Sequence, residues 1–487
     1  MNRLILVLSF VVSLSLCHAY DFEVDGLCYS FIEGSDTTVM VTHRDATAGG
    51  YTNLSGAVVI PGTVSYNGVN YTVSQIGLRA FEACTAITSV TFPNTLSVIS
   101  THAFYDCKGL TSIELPESVT ELSFSAFSGC TNLKKVLFNC VAVESETKFP
   151  DSVEEFVFGD NVSVIPPGCC DGLSKLTSVT IPKSVKTIGN NAFRGCTNVT
   201  ELAWNPVQRV GGGSFYTLPP SSNLERLSIG DGVEVIPSSI AEDSKISSIV
   251  FPGSIKEIGP LAFKGCKGLT SIHIPASVSL LYNGEYGSFR GCTNLTEITV
   301  DPDNPKYDSR ENCNAIIHTQ AAELRVGCCS TVIPENLKYI GPFAFENCEG
   351  LVQIVLPDSL ISIGRNAFYG CTGLSEVSFP KTVTQIEKLA FAYCQKLSKI
   401  TALSNLPPQI DGTYDNGTFR SVNTSIPLYV PAGAKEIYAW AAGWKNFGNI
   451  IELEPTGEQL NQYDVNFDGK VDIEDINDVI NYMLGKY

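Results

Sequence analysis

Apolar residues recur through most of the chain in a frame of 23 positions. Cys84, Cys107 and Cys130 are spaced 23 apart, as are Cys348, Cys371 and Cys394, and Leu173 and Cys196 keep the same step. Cys266 and Cys292 are 26 apart, a three-residue insertion around Asn283, Gly284 and Glu285. Counting the cysteine as position 1, apolar residues fall at 4, 7, 9, 13, 16, 20 and 21, and proline at 10. One copy reads Leu351, Ile354, Leu356, Pro357, Leu360, Ile363, Ala367, Phe368; the next reads Leu374, Val377, Phe379, Pro380, Val383, Ile386, Ala390, Phe391. The intervals 130–173 and 196–266 are longer and contain further strand-like units, around Phe156 and around Leu227.

Positions 7 and 9 share one face of a short strand. Proline at 10 ends it, because it has no N–H for a ladder. Glycine at 17, as in Gly189, Gly259 and Gly364, reads as a turn residue. A single 23-residue unit cannot bury its own apolar set. Stacked units can, as successive coils joined by a parallel β ladder with a spacing of about 4.8 Å. The expected fold is a repeat solenoid of about 23-residue period, with capping units at both ends. The expected divisions are an N-terminal β cap at 20–71, the solenoid at 72–424 and a C-terminal cap at 425–453. In the last, Tyr438, Trp440 and Trp444 would close the final coil.

The two ends differ from the repeat. Asn2-Arg3, the apolar run 4–16 and Cys17-His18-Ala19 have the order of an export signal, with cleavage expected after Ala19. A lipid anchor on Cys17 is the lesser alternative, since Leu16 before it is bulky. No later run is long and apolar enough for a membrane helix. Residues 454–462 read as a linker. Residues 463–487 carry an EF-hand-like loop and helix: Asp464, Asn466, Asp468, Asp472 and Asp475 at loop positions 1, 3, 5, 9 and 12, Gly469 at the sharp turn, and Lys470 offering its carbonyl. That donor set predicts one Ca2+ site. Ile476, Val479, Ile480, Met483 and Leu484 follow at helical spacing. The formal net charge of −18 argues against a nucleic-acid partner, which needs a basic footprint.

The frame Cys-x-x-Leu-Thr-Ser-Ile-x-(Leu/Ile)-Pro-x-Ser-Val-x-x-Ile-Gly-x-x-Ala-Phe resembles that of the BspA-type (Treponema pallidum-type) leucine-rich repeat proteins. Residues 307–316 and 426–433 resemble an insert and an end segment of those proteins. The resemblance implies a leucine-rich repeat fold in a secreted or cell-surface protein without catalytic function. Several members are similar to adhesins for host matrix proteins or partner cells. The segment from Asp464 to Gly485 resembles one dockerin repeat. It departs from dockerins in being single and in carrying Ile473-Glu474 at loop positions 10 and 11, where many dockerins have small hydroxyl residues. What it implies is calcium binding and a cohesin-like module as partner.

Sixteen cysteines remain beyond Cys17. An even number in an oxidising compartment invites disulfides. Yet position 1 is a repeating core slot that Leu173 also fills, so the ladder cysteines are expected to be free and buried, acting as small hydrophobes. Histidines lie outside any zincin motif, no nucleophile elbow occurs, and no carboxylate pair stands out, so no enzyme is expected. Positions 6 and 8 point away from the core and would stack as a polar, mildly acidic strip. Its residues include Ser112 and Glu114, Ser271 and His273, Glu297 and Thr299, Gln353, and Glu376. This strip is the candidate binding face, and the insertions 141–148, 205–222, 283–287, 301–318 and 410–424 are a second place for specificity. The expected function is protein–protein recognition or adhesion to host or partner-cell ligands. The alternative is a dockerin-tethered component of an extracellular glycan-processing, cellulosome-like assembly.

Overall fold

The computed structural model describes residues 20–44, 51, 53–211, 223–411 and 417–454. The export signal, the linker beyond residue 454 and the calcium loop with its helix therefore lie outside the described residues. The chain divides into two compact units, Met1–Pro219 and Pro220–Tyr487, and each is described by itself.

The first unit opens with antiparallel strands Phe22–Val24, Leu27–Phe31 and Thr38–Thr42. A hairpin follows, Thr63–Tyr66 with Val69–Ile76. Its turn is Asn67-Gly68, both at positive φ, the preference of a two-residue hairpin. From Val69–Ile76 onward pairing is parallel. One ladder runs through the two-residue strands Val98–Ile99 and Glu121–Leu122, and then Val164–Ile165 with Thr187–Ile188. A second ladder runs through Ser112–Leu115, Lys135–Phe138 and Glu155–Phe158, then Ser178–Ile181 with Glu201–Trp204.

The second unit repeats the plan. Val235–Ile236, Glu257–Ile258 and Leu280–Leu281 form a ladder of short strands. Tyr339–Ile340, Ser362–Ile363, Gln385–Ile386 and Gln409–Ile410 form another. The longer strands pair as Ser271–Ile274 with Glu297–Val300, and as Glu376–Phe379, Lys399–Ala402, Pro427–Val430 and Asn449–Glu452. Between them sits an antiparallel insertion of Tyr307–Asp308, Ile316–His318 and Glu323–Val326.

A parallel-strand solenoid is thus the architecture. Each regular coil contributes two strands, one at positions 6–9 as expected and a second at 15–16. The third corner is the Ala-Phe pair. There the N–H of Phe81, Phe104, Phe345 and Phe368 donates to the alanine carbonyl of the next coil, at 2.8 Å in each case. Backbone groups that would otherwise be orphaned inside the stack are satisfied in this way.

The consensus polar residues have the same job. Thr95, Ser184, Ser277 and Thr382, all at position 12, donate their hydroxyls to the carbonyls of Val73, Val162, Ile255 and Leu360, each 22 residues earlier. Thr111, Thr200 and Ser375 at position 5 reach the carbonyls of Thr88, Thr177 and Val352, each 23 residues earlier. Position 23 needs a left-handed backbone. Gly195 and Gly370 take it at φ 80° and 70°, and Asp106 and Asn347, the side chains that tolerate it best, at 58° and 57°.

The core is a column of phenylalanines. Phe81, Phe104, Phe127 and Phe149 stack at centroid spacings of 5.0, 5.4 and 5.5 Å. Phe345, Phe368 and Phe391 stack at 4.9 and 5.0 Å. The turn role expected of glycine at position 17 needs correction. Gly189, Gly259 and Gly364 do not have positive φ. A Cβ on Gly259 would meet the Ile236 carbonyl at 2.7 Å, and one on Gly364 would meet the Pro342 nitrogen at 2.7 Å. Glycine is there because the neighbouring coil's backbone passes too close for a side chain.

The ends are closed differently. Tyr51 is buried with its ring tilted against Phe81 at 5.3 Å, while its hydroxyl donates to the Thr42 carbonyl at 2.6 Å. At the other end the helix Lys435–Trp440 and the turn Trp444–Asn446 bring Tyr438 and Trp444 into the core. Tyr438 donates to the Ser404 carbonyl at 2.9 Å, and the Trp444 ring nitrogen to Pro408 at 2.8 Å. Trp440, expected to help close the coil, is 83% exposed instead.

Candidate functional site

Alternation along each longer strand places its side chains on opposite sides of the sheet. In Ser112–Leu115, Ile113 and Leu115 are buried while Glu114 is exposed. In Ser271–Ile274, Ile272 and Ile274 are buried while Ser271 and His273 are exposed. Parallel pairing then sets outward residues of neighbouring coils side by side.

The expected site residues fall into three groups. In the first unit, Ser112 and Glu114 stand opposite Lys135 and Leu137. Asn139 donates to Glu114 at 3.5 Å and Asn161 to Glu117 at 2.7 Å. Glu114, Glu117 and Asn139 border an open groove of 820 Å3, shared with Thr91, Asn94 and Pro116. In the second unit, Ser271 pairs with Glu297 and His273 with Thr299. The His273 Nδ1 and Thr299 Oγ1 lie 3.0 Å apart. Gln353 and Glu376 line a separate groove of 380 Å3 with Val355, Ser378, Lys399, Thr401 and Leu403. Gln353 sits on an extended stretch outside the assigned strands. Ser271 and Glu297 lie in one sheet and Glu376 in another, and the inserted segment around residues 307–326 falls between them in the chain.

The strip is also less acidic than expected. Lys135 pairs with Glu155 at 2.7 Å. Lys134 pairs with Glu154 at 2.5 Å, and that hydrogen bond holds the Glu154 carboxyl below its usual range. Lys399 pairs with Glu376 at 3.5 Å and lies 5.7 Å from the Tyr429 ring. Sequence reasoning passed over these lysines. The signal was present, since Lys135 and Lys399 hold position 6 of the coils that begin at Cys130 and Cys394.

One insertion proves to be tied down. Arg290 donates from Nε and Nη2, one edge of its guanidinium, to the two Glu346 carboxylate oxygens at 2.6 and 2.8 Å, and lies 4.1 Å from the centre of the Phe343 ring. Arg365 pairs with Glu285. Residues 283–287 are thereby held against a later coil.

All sixteen described cysteines are free, and all but Cys329 are buried. The ladder thiols have a second role beyond packing. Cys107, Cys130, Cys371 and Cys394 donate to the carbonyls of Phe81, Phe104, Phe345 and Phe368 at 2.9 to 3.2 Å. Burial pushes the Cys394 thiol up to about 12, so it stays protonated and keeps donating. Among the described residues no group of three or more His, Cys, Asp or Glu side chains is arranged to hold a metal. The expected calcium ligands Asp464, Asn466, Asp468, Lys470, Asp472 and Asp475 lie outside the described residues. So does much of the insertion at 205–222.

Comparison with known proteins follows the repeat. The family described as BspA type Leucine rich repeat region, in six copies, matches residues 65–172, 148–270, 220–315 and 326–438. The chain belongs to this BspA-type family. Among solved structures it is similar to a leucine-rich repeat protein from Bacteroides ovatus, at 22% identity and TM-score 0.44, over 89% of this chain and all of that one. It is also similar to a leucine rich cell surface protein from Faecalibacterium prausnitzii, at 22% identity and TM-score 0.31, over 90% of this chain and 96% of that one. The pneumococcal vaccine antigen PcpA is similar at 14% identity and TM-score 0.34, over 90% of this chain and 99% of that one. No curated protein matches. BspA-type repeats are generally binding scaffolds for protein ligands in surface or secreted proteins. Among the described residues no helix is long and apolar enough to cross a membrane.

Proposed function

We propose that this BspA-type protein is exported, with cleavage near Ala19, and recognises a protein ligand on its strand faces without catalysing a reaction. The partner class is a host matrix protein or a partner-cell surface protein. The observation that carries this reading is the register of outward residues: Glu376 beside Lys399 and Ser378 beside Thr401, on a rigid ladder with an open groove in front. Mixed charge on a fixed lattice favours a polar protein surface of complementary pattern, which gives specificity more than raw affinity.

The test uses the mature full-length chain as bait against host matrix extract and against purified candidates from it. Glu114→Lys and Glu376→Lys reverse one charge on each face, at exposed positions where folding is little affected. The reading expects capture to fall at least about tenfold for one of them, the loss of a few well-placed contacts. Equal capture by both variants and the parent would overturn it.

We further propose that Asp464, Asn466, Asp468, Asp472 and Asp475, with the Lys470 carbonyl, bind one Ca2+. A cohesin-like module and a glycan-processing assembly remain the alternative use of that end.

A further inference from the structure

The cap helix Lys435–Trp440 is apolar on two sides. Tyr438 on the inner side is fully buried, as is Trp444 just beyond the helix. Ile437 and Trp440 stand one turn apart on the outer side, 46% and 83% exposed. Tryptophan is among the most buried residue types on average, so an indole this open beside an exposed isoleucine marks a contact surface. Lys435 and Lys445 flank the pair and are exposed, against one acidic neighbour, Glu436.

The chain leaves the solenoid beside this surface. The strand Asn449–Glu452 ends at the start of the cap helix, where the Glu452 carboxylate accepts the Lys435 N–H at 3.1 Å. Trp440 lies further along that helix by about 7.5 Å of helical rise. In the sequence that follows, Ile476, Val479, Ile480, Met483 and Leu484 recur at i, i+3, i+4, i+7 and i+8. A helix as short as 476–484 is marginal in water unless its apolar stripe is buried. Glu474 and Asp478 near its start complement Lys435 and Lys445. Residues 454–463 alone reach up to about 33 Å when extended, well beyond the length of the cap helix. A tether of that length gives an effective concentration of about 1 mM, so a contact with a dissociation constant of about 0.1 mM is about 90% closed.

We propose that residues 476–484 dock on their own chain, laying this apolar stripe on Ile437 and Trp440. The stripe is then occupied by the protein's own cap. A cohesin-like module, or any other partner of that end, has to displace it first. Its apparent affinity is lowered by about tenfold when the contact is about 90% closed. Docking depends on the helix at 476–484 and is independent of any partner of the strand faces.

The chain has three tryptophans, and Trp204 and Trp444 are buried, so Trp440 is the one open to collisional quenching by acrylamide. Quenching is measured on the full-length protein in calcium-containing buffer, over a wide range of protein concentration, beside Ile480→Asp. Trp440→Phe assigns the Trp440 component. That component should be quenched at least about threefold less in the parent than in Ile480→Asp, at every concentration. In the reciprocal measurement, Trp440→Asp, a change at an exposed position, should quicken amide exchange in residues 476–484 at least about threefold. Equal quenching in the parent and Ile480→Asp overturns the proposal. So does protection that Ile480→Asp retains, which means another cover, or protection that appears only as concentration rises, which means a second copy. Exchange at 476–484 that Trp440→Asp leaves unchanged overturns it as well.

Discussion

Cys371 illustrates why a cysteine heads each coil. Its slot is fully buried, and the Phe345 carbonyl lies 3.1 Å from its sulfur. A small hydrophobe with a weak donor fits both conditions. Cys371→Ala should lower stability by about 1–2 kcal/mol, from a small cavity and a lost weak hydrogen bond, read by urea unfolding. Glycine gives a sharper contrast at the same scale. Gly259→Ala should cost about 1–3 kcal/mol, because the new methyl meets backbone that cannot yield. Gly253→Ala, with open space around the added carbon, should stay within about 0.5 kcal/mol of the parent. The cysteine's burial was legible from its period. The glycine's reason was not, because close approach between coils is a property of the stack, and a lone Gly reads as a turn from sequence. The left-handed position before each cysteine was missed likewise, although Gly195, Gly370, Asp106 and Asn347 share it.

Among the elements, the strand at positions 6–9 was legible because two apolar residues and a proline mark it. The strand at 15–16 has only two residues, too short for an alternating pattern. It shows only when neighbouring coils supply its partners. The phenylalanine column makes the elements depend on one another. Phe368→Ala should cost about 3–5 kcal/mol in chemical denaturation, since it empties the middle of a stack that has rings at 4.9 and 5.0 Å on its two sides. The inserted hairpin has its own acid sensitivity. Burial alone would raise the Asp308 carboxyl, but hydrogen bonds from Arg310 and Thr319 outweigh it and hold it below its usual range. A depressed folded value means that Asp308 stabilises the hairpin above about pH 4. That support is lost as pH falls through the lower folded value. Protection of the Ile316–His318 amides, taken relative to intrinsic exchange at each pH, should fall as pH is lowered through and below the usual carboxylate range, and Asp308→Asn should flatten this dependence.

At the level of the whole molecule, the solenoid was readable from one feature, its period. The geometry of the candidate face was readable only in part. Positions 6 and 8 were correctly placed outward, but the sequence could not tell that the Ser271–Glu297 pair and Glu376 lie in different sheets, with the inserted hairpin between them in the chain. The two proposed functions make different demands on calcium. If partner capture resides in the strand faces alone, calcium is not needed for the bound state. Chelator and Asp468→Ala in the full-length chain should then abolish calcium binding, followed by isothermal titration, and leave capture of the matrix partner within about twofold. If chelator or Asp468→Ala removes capture while Glu114→Lys and Glu376→Lys leave it intact, the roles reverse. The ladder would then be the carried part, and the loop beginning at Asp464 the part that finds the partner.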